Sequence, residues 1–385
     1  MANRETIFDV AVIGLGAMGS AAVWQFAEDG QKVLGLEAFA SLENMSHSFG
    51  SSHGETRAIR MSYFEDPNYV PLLNFAYQKW EELEKHSGKL LFEKCGMLYV
   101  FPAKSGVVYE GLKEASEIHK LELEEAPANE WKDRFPSFHL QDNQHCVFEK
   151  NAGYLRVEEC VHAMNKRARE LGAQLHFSTR LRSWNEELDG IDSIIRLKTD
   201  DEEFLARKVV FCVGAWSQEI IRDLKIPVKV HANFLHWFQV ETPKLHSESP
   251  CYVFEKDYGF FYGFPSLDGG TVKIAAHSPG VLLETAESER PIQDPDYEAL
   301  ERFGKESLRS FQEGASSSKS CLYSMTPDEN FIVDRHPNFK KVFFAAGFSG
   351  HGFKFSPAIG RLLLQITREE SEPFQSEFLR FDRFR

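Results

Sequence analysis

The chain has 385 residues, 44 of them Lys or Arg and 58 Asp or Glu, for a formal net charge of −14. At roughly 100–200 residues per domain this length holds two or three domains, and 42% hydrophobic with 13% aromatic residues excludes a disordered chain. The acidic balance argues against nucleic acid or an anionic membrane as main partner, and no apolar run approaches the ~18 residues of a spanning helix.

Phe8 to Ile13 is a short apolar run with β-branched residues, which predicts a strand. It enters Gly14-Leu15-Gly16-Ala17-Met18-Gly19, followed by a helical stretch from Ser20 to Glu28 with Gly30 as its C-cap. Val33 to Leu36 reads as a second strand, ending at Glu37. This strand–turn–helix–strand unit carries GxGxxG at its first turn, so a dinucleotide site is expected there. The glycines Gly14, Gly16 and Gly19 let the backbone turn tightly and approach a pyrophosphate, which the helix N-terminus attracts. A carboxylate at Glu37 accepts hydrogen bonds from a ribose diol and repels a 2′-phosphate.

Ser41 to His53 is polar and glycine-containing, a long loop. Residues 69–85 have helical periodicity, with Leu72, Phe75, Ala76, Trp80 and Leu83 on one side. A strand is expected at Leu98–Phe101, a helix at 158–171 and a strand at Gln174–Phe177. Val209 to Val213 is a buried strand meeting a turn at Gly214-Ala215-Trp216-Ser217. Tyr252–Phe254, Phe260–Gly263 and Thr271–Ala276 predict a meander. Residues 342–346 form another buried strand, entering Gly347-Phe348-Ser349-Gly350-His351-Gly352, and a helix follows from about Pro357 to Thr367.

Dinucleotide-type signals thus recur at the start, middle and end of the chain. The expected fold is α/β with two domains: a discontinuous Rossmann-like nucleotide domain (1–90, 150–222 and 322–385) and an antiparallel-sheet substrate domain (91–149 and 223–321). A contiguous Rossmann domain followed by a catalytic domain, as in a nicotinamide dehydrogenase, is the alternative. The six cysteines are scattered, with no C-x-x-C pair and no zinc-type histidine spacing, so no metal is expected and the thiols read as reduced.

Seven segments carry a resemblance: GLGAMG at 14–19, GSSHGETRAIR at 50–60, VGAWS at 213–217, FYGFP at 261–265, Lys273-x-x-x-His277, SCLYSMTPDENFIVDRHP at 320–337 and GFSGHGFKFSP at 347–357. Together they resemble the monomeric sarcosine oxidase family, which includes N-methyltryptophan oxidase and pipecolate oxidase, flavoproteins with covalently attached FAD. The resemblance implies that Cys321 forms a thioether to the flavin, a reaction that needs a thiolate near positive charge. It implies that Arg60 and Lys354 clamp a substrate carboxylate, the arginine through paired hydrogen bonds and the lysine as a point charge. Lys273 is implied as the cation that activates O2, and His277, four residues on and on the same strand face if the strand continues that far, as a substrate-positioning group. Arg57 is implied over the flavin face, with His53 and Thr56 shaping the same loop. Tyr262 and Tyr323 would wall the substrate cavity, and Gly350, His351 and Gly352 would approach the flavin pyrimidine. Trp216 is expected to pack only.

The sequence departs from the family in its long loop before HGETR, in Ser52 where a second histidine is usual, and in 231–240, which carries no pattern tied to one substrate. The implied function is FAD-dependent oxidation of a secondary N-methyl amino acid such as sarcosine. The resulting imine hydrolyses to an amino acid and formaldehyde while O2 becomes hydrogen peroxide. Oxidation of a bulkier or cyclic secondary amine (N-methyltryptophan, pipecolate, a fructosyl amino acid) is the alternative. A nicotinamide-dependent dehydrogenase and a non-catalytic nucleotide-binding regulator are the alternatives of a different class. The expected partners are the amino acid and O2. The protein is expected to be a monomer, and cytoplasmic because RFDRFR is not an S-K-L-type peroxisomal signal.

Overall fold

A computed structural model describes residues 6–189, 192–291, 293–370 and 374–384. The apolar run Ile7–Ile13 pairs in parallel with Val33–Leu36 on one side and Glu203–Phe211 on the other. Gln174–His176 extends the sheet beyond Val33–Leu36, and Val342–Ala346 adds in parallel to Glu203–Phe211. Val33–Leu36 and Val342–Ala346 are buried on both faces, as continuous apolar runs require, whereas Gln174–His176 lies at the partly exposed edge. The helix Ala17–Glu28 lies over them, packed between Val157–Glu170 and Ser356–Arg368, with Val70–Ser87 against the last of these. An antiparallel hairpin, Ser183–Asp189 with Asp192–Lys198, and the strand Ile332–Arg335 complete this sheet among the described residues.

The second sheet contains the expected meander: Cys251–Lys256, Gly259–Gly263 and Thr271–Ala276 pair in sequence, all antiparallel. It is not antiparallel throughout, because Cys251–Lys256 runs parallel to Met97–Phe101. Lys229–Gln239 is its long connector, holding Thr271–Ala276 and Val281–Leu283 along one edge and Ser317–Met325 along the other. A third, small sheet joins Thr56–Ile59, Gly153–Arg156 and Phe92–Glu93. It fixes Arg57 within a strand and places Arg60 just past that strand's end.

Candidate active site

The C-terminal ends of the parallel strands form the wall of a cavity of about 340 Å³, lined by Ile13, Glu37, Val213 and Ala345 among others. Ligands of open α/β sheets gather at such strand ends. Gly14 turns the chain there with φ +86, and a Cβ on it would lie 2.6 Å from the Cys212 carbonyl oxygen. Gly16 caps Ala17–Glu28 without a side-chain hydrogen bond, so the first amides of a 12-residue helix face the cavity. One of them, Ala17 N–H, is taken by Ser52 Oγ at 3.1 Å. Gly19 lies outside the lining; a Cβ there would overlap the Gly14 carbonyl, so its role is close helix–strand contact.

Glu37 is buried, with Oε2 accepting from Leu15 N–H at 2.8 Å and Oε1 from Phe39 N–H at 2.9 Å. Two carboxylate oxygens with about four lone-pair sites retain capacity for a ribose diol. Gly214 also lines the cavity, where a Cβ would meet nothing within 4 Å. A helix N-terminus whose cap residue has no side chain, a glycine-cradled turn and a fixed carboxylate in one groove fit the pyrophosphate and ribose of FAD.

A second, smaller cavity of about 90 Å³ abuts the first, and Arg57, Tyr323, Gly350 and Phe353 line both. It brings together Arg60, Tyr262, His277, His351 and Lys354, which lie far apart in sequence. Lys354 donates from Nζ to the His351 carbonyl at 2.7 Å. Burial, reinforced by Arg60, pushes its pKa down to about 7. Burial likewise lowers His277, and pushes His351 down to about 3. Tyr262 and Tyr323 pack with Cys321, Leu235, Trp237 and Ala275. A Cβ on Gly350 would overlap the Tyr323 ring, so glycine is what lets this turn sit against it.

Several expected roles change in detail. Arg60 is not a free clamp: Nη2 donates to Glu65 Oε1 at 2.6 Å and Oε2 at 2.7 Å, and Nη1 to the Ser62 carbonyl at 2.8 Å. Its guanidinium stands 4.0 Å from the Phe64 ring centre and 4.6 Å from that of Tyr63. Burial alone would raise the Glu65 carboxyl, but Arg60, His351 and Lys354 together outweigh it and hold Glu65 at about 2. The His351 ring hydrogen-bonds Tyr63 OH and the Glu329 carbonyl (3.0 Å) and lines only the smaller cavity, while Gly350 and Gly352 line the larger.

Lys273, Thr56, His53 and Cys321 line neither cavity. Lys273 Nζ donates to the Gly54 carbonyl (2.6 Å), the Thr56 carbonyl (2.8 Å) and Thr56 Oγ1 (2.9 Å), which uses all three of its protons. Burial, with Arg57 adding, drives its pKa well below the usual lysine value. His53 is buried in the same loop and pushed down to about 3, first by burial and then by Arg57. Cys321 is fully buried; burial raises its thiol pKa, while Arg57, Lys273 and Arg290 pull the other way. The strand beside it is stitched to the 49–51 loop: Leu322 N–H donates to the Gly50 carbonyl, Ser51 Oγ to the Leu322 carbonyl, and Arg290 to the Ser320 and Phe49 carbonyls.

The sequence reading missed Glu65, Tyr63, Arg290 and Glu149. The buried Glu149 carboxylate accepts from Met61 N–H (2.5 Å) and from Ser62 N–H and Oγ, holding the backbone that follows Arg60. No periodic rule couples a residue five or more positions on in an irregular segment, so these partners left no pattern.

Residues 9–366 match the family described as DAO, FAD dependent oxidoreductase. The chain is 36% identical over 366 residues to a monomeric sarcosine oxidase of Streptomyces avermitilis, covering 93% of each chain. It is 31% identical over 385 residues to an N-methyl-L-tryptophan oxidase of Yersinia pestis, covering 98% of this chain and all of that one. Among solved structures, NikD, an amino acid oxidase of nikkomycin biosynthesis, shares the fold at TM-score 0.83 with 22% identity over 97% of this chain and 98% of the other. From the matched family and from relatives above 30% identity along nearly its whole length, the chain belongs to the FAD-dependent oxidoreductase family, within the group that holds monomeric sarcosine oxidase and N-methyltryptophan oxidase.

Proposed function

We propose that this enzyme oxidises a small secondary amino acid of the sarcosine type at the amine carbon, releasing hydrogen peroxide. The observation that carries this reading is the junction of the two cavities. A pocket holding Lys354, Arg60 and His277 opens through Arg57, Tyr323, Gly350 and Phe353 onto the dinucleotide-type groove. Bound FAD would supply the two-electron acceptor for the amine and the donor to O2. Gly14, Gly16 and Glu37 would hold its nucleotide half, and Cys321 would attach it covalently. Arg57, Lys273 and Arg290 pull the Cys321 thiol towards its thiolate form, against the larger effect of burial, which leaves its pKa raised.

The remaining work belongs to the chain. Lys354 receives the substrate carboxylate by a charge-assisted hydrogen bond, with Arg60 joining when Glu65 yields part of its hold. Tyr262, Tyr323 and His277 confine the N-substituent, and holding reacting groups at ~3–3.5 Å supplies much of the rate. Arg57, which lines both cavities, fixes positive charge where oxygen is reduced, and Lys273, held behind the cavities by the Gly54 and Thr56 carbonyls, adds to it when protonated. A pocket of about 90 Å³ favours a compact substrate over one bearing an indole or a sugar. The division into a discontinuous FAD domain and a substrate domain accompanies this reading. The six unpaired cysteines support a reducing, cytoplasmic location, and we take the enzyme as a monomer.

The test is aerobic turnover of sarcosine and its amide. Peroxide and formaldehyde should form in equal amounts from the acid, and the amide should react at least ~10-fold more slowly. Acid-precipitated wild type should stay yellow and Cys321→Ser should lose its colour. Equal rates for acid and amide would remove the carboxylate pocket from the reading, and a yellow Cys321→Ser pellet would remove the thioether.

A further inference from the structure

Cys95 and Cys251 are 156 residues apart in sequence, yet their Sγ atoms lie 3.7 Å apart. Backbone pairing imposes this proximity. Cys251 opens the strand Cys251–Lys256, which runs parallel to Met97–Phe101 with Cys251 opposite Met97, and its N–H donates to the Gly96 carbonyl at 3.1 Å. Gly96, at φ +80, turns the chain so that Cys95 stands beside this strand start. Cys95 is half-buried and Cys251 fully buried. Their neighbours Met97, Tyr252 and Val253 line the smaller cavity.

We propose that Cys95 and Cys251 form a peroxide-responsive dithiol beside the substrate cavity, closing to a reversible disulfide. The two sulfurs have divided roles. Cys95 is reachable from solvent, and a hydrogen bond from the Cys251 thiol is the main influence lowering its pKa. Cys251 is sealed in and its thiol is raised by burial. Burial also lifts Cys146 and Cys212 to about 12 and pushes Cys160 well above the ordinary thiol value, which keeps those thiols protonated and inert.

The Cys95 thiolate attacks one oxygen of hydrogen peroxide, the O–O bond breaks, and hydroxide leaves to become water, giving a sulfenic acid. The Cys251 sulfur then attacks the Cys95 sulfur, the S–O bond breaks, and the Cys251 proton leaves with the second water. Two thiols are oxidised and one peroxide is reduced to two waters. Closure ties the start of one cavity-wall strand to the segment leading into its parallel partner. The internal source of peroxide rests on the function proposed above; the dithiol chemistry does not.

Purified holoenzyme is exposed to added hydrogen peroxide without amine substrate, alkylated, digested without reductant and analysed by mass spectrometry. A peptide linking Cys95 to Cys251, about 2 Da lighter than the two thiol peptides together, should appear and vanish with dithiothreitol. In Cys251→Ser, Cys95 should instead accumulate as sulfinic acid. Full alkylation of both thiols after peroxide, or sulfinic acid at Cys95 of the wild type with Cys251 still free, overturns the proposal. A second arm uses turnover of sarcosine with and without catalase. A link formed by added peroxide but never during turnover upholds the dithiol and faults the peroxide-producing reading.

Discussion

At Arg60 the guanidinium is engaged by Glu65 and the Ser62 carbonyl, while Lys354 has one carbonyl partner and a pKa brought down to about 7. Burial is the larger cause and the Arg60 charge the second. Lys354 is therefore protonated below pH 7 in the free protein and progressively neutral above it, whereas Glu65, near 2, stays ionised throughout. A carboxylate inhibitor such as methylthioacetate needs the protonated form, so its affinity should fall as pH rises through about 7, approaching tenfold per unit above it. Lys354→Met should weaken binding by roughly one to two orders of magnitude, the loss of a charge-assisted hydrogen bond, and should flatten the profile. Spectral titration from pH 6 to 9 checks both; a flat wild-type profile would assign carboxylate recognition elsewhere. Arg60 was legible as a cation placed in a motif. Its partner Glu65 was not, because their contact depends on a loop path that local pattern does not encode.

The first strand–turn–helix–strand unit is where local sequence and structure agree most closely. The helix begins at Ala17, three residues earlier than the apolar run alone indicates, because the last glycine lies within its first turn. A Cβ on Gly19 would overlap the Gly14 carbonyl, and that carbonyl belongs to a turn pinned by Cys212. Gly19→Ala should therefore destabilise the fold by about 3 kcal/mol and impair FAD retention, by forcing helix and strand apart. Denaturant melts with fluorescence detection, alongside FAD content, would show this; stability within 0.5 kcal/mol of wild type would mean the turn relaxes freely. Other elements gave no local sign. Lys229–Gln239 is buried along nearly all its length and paired on both edges, so it has neither the alternation of a half-exposed strand nor a turn at its middle. Ser317–Met325, which carries Cys321, begins with exposed serines and a lysine and reads as loop until its partner strand is known.

Across the whole molecule, burial of ionisable groups sets how the fold responds to acid. His53 and His351 stay neutral in the folded protein down to about 3, against an ordinary value of 6.5. Below pH 6.5 the unfolded chain binds protons at these positions and the folded chain does not, so stability is full above 6.5 and is lost as pH falls towards 3. Glu65 adds a further loss between its ordinary 4.5 and about 2, where its ion pair with Arg60 is protonated away. The melting temperature should drop by several degrees between pH 7 and pH 5, before ordinary carboxylates titrate. Scanning calorimetry across that range decides it, and a constant melting temperature would mean that both histidines gain solvent or a partner on protonation. The sequence by itself determined the dinucleotide-binding unit, the buried parallel strands and the meander, because each rests on local periodicity, turn chemistry and apolar runs. The tertiary structure alone decided that Arg60 is held by Glu65, that Lys354 lines one cavity with Arg57 and His277, and that Cys95 faces Cys251. Those contacts are made between segments brought together by sheet pairing, and charge, desolvation and thiol reactivity there depend on distance in space.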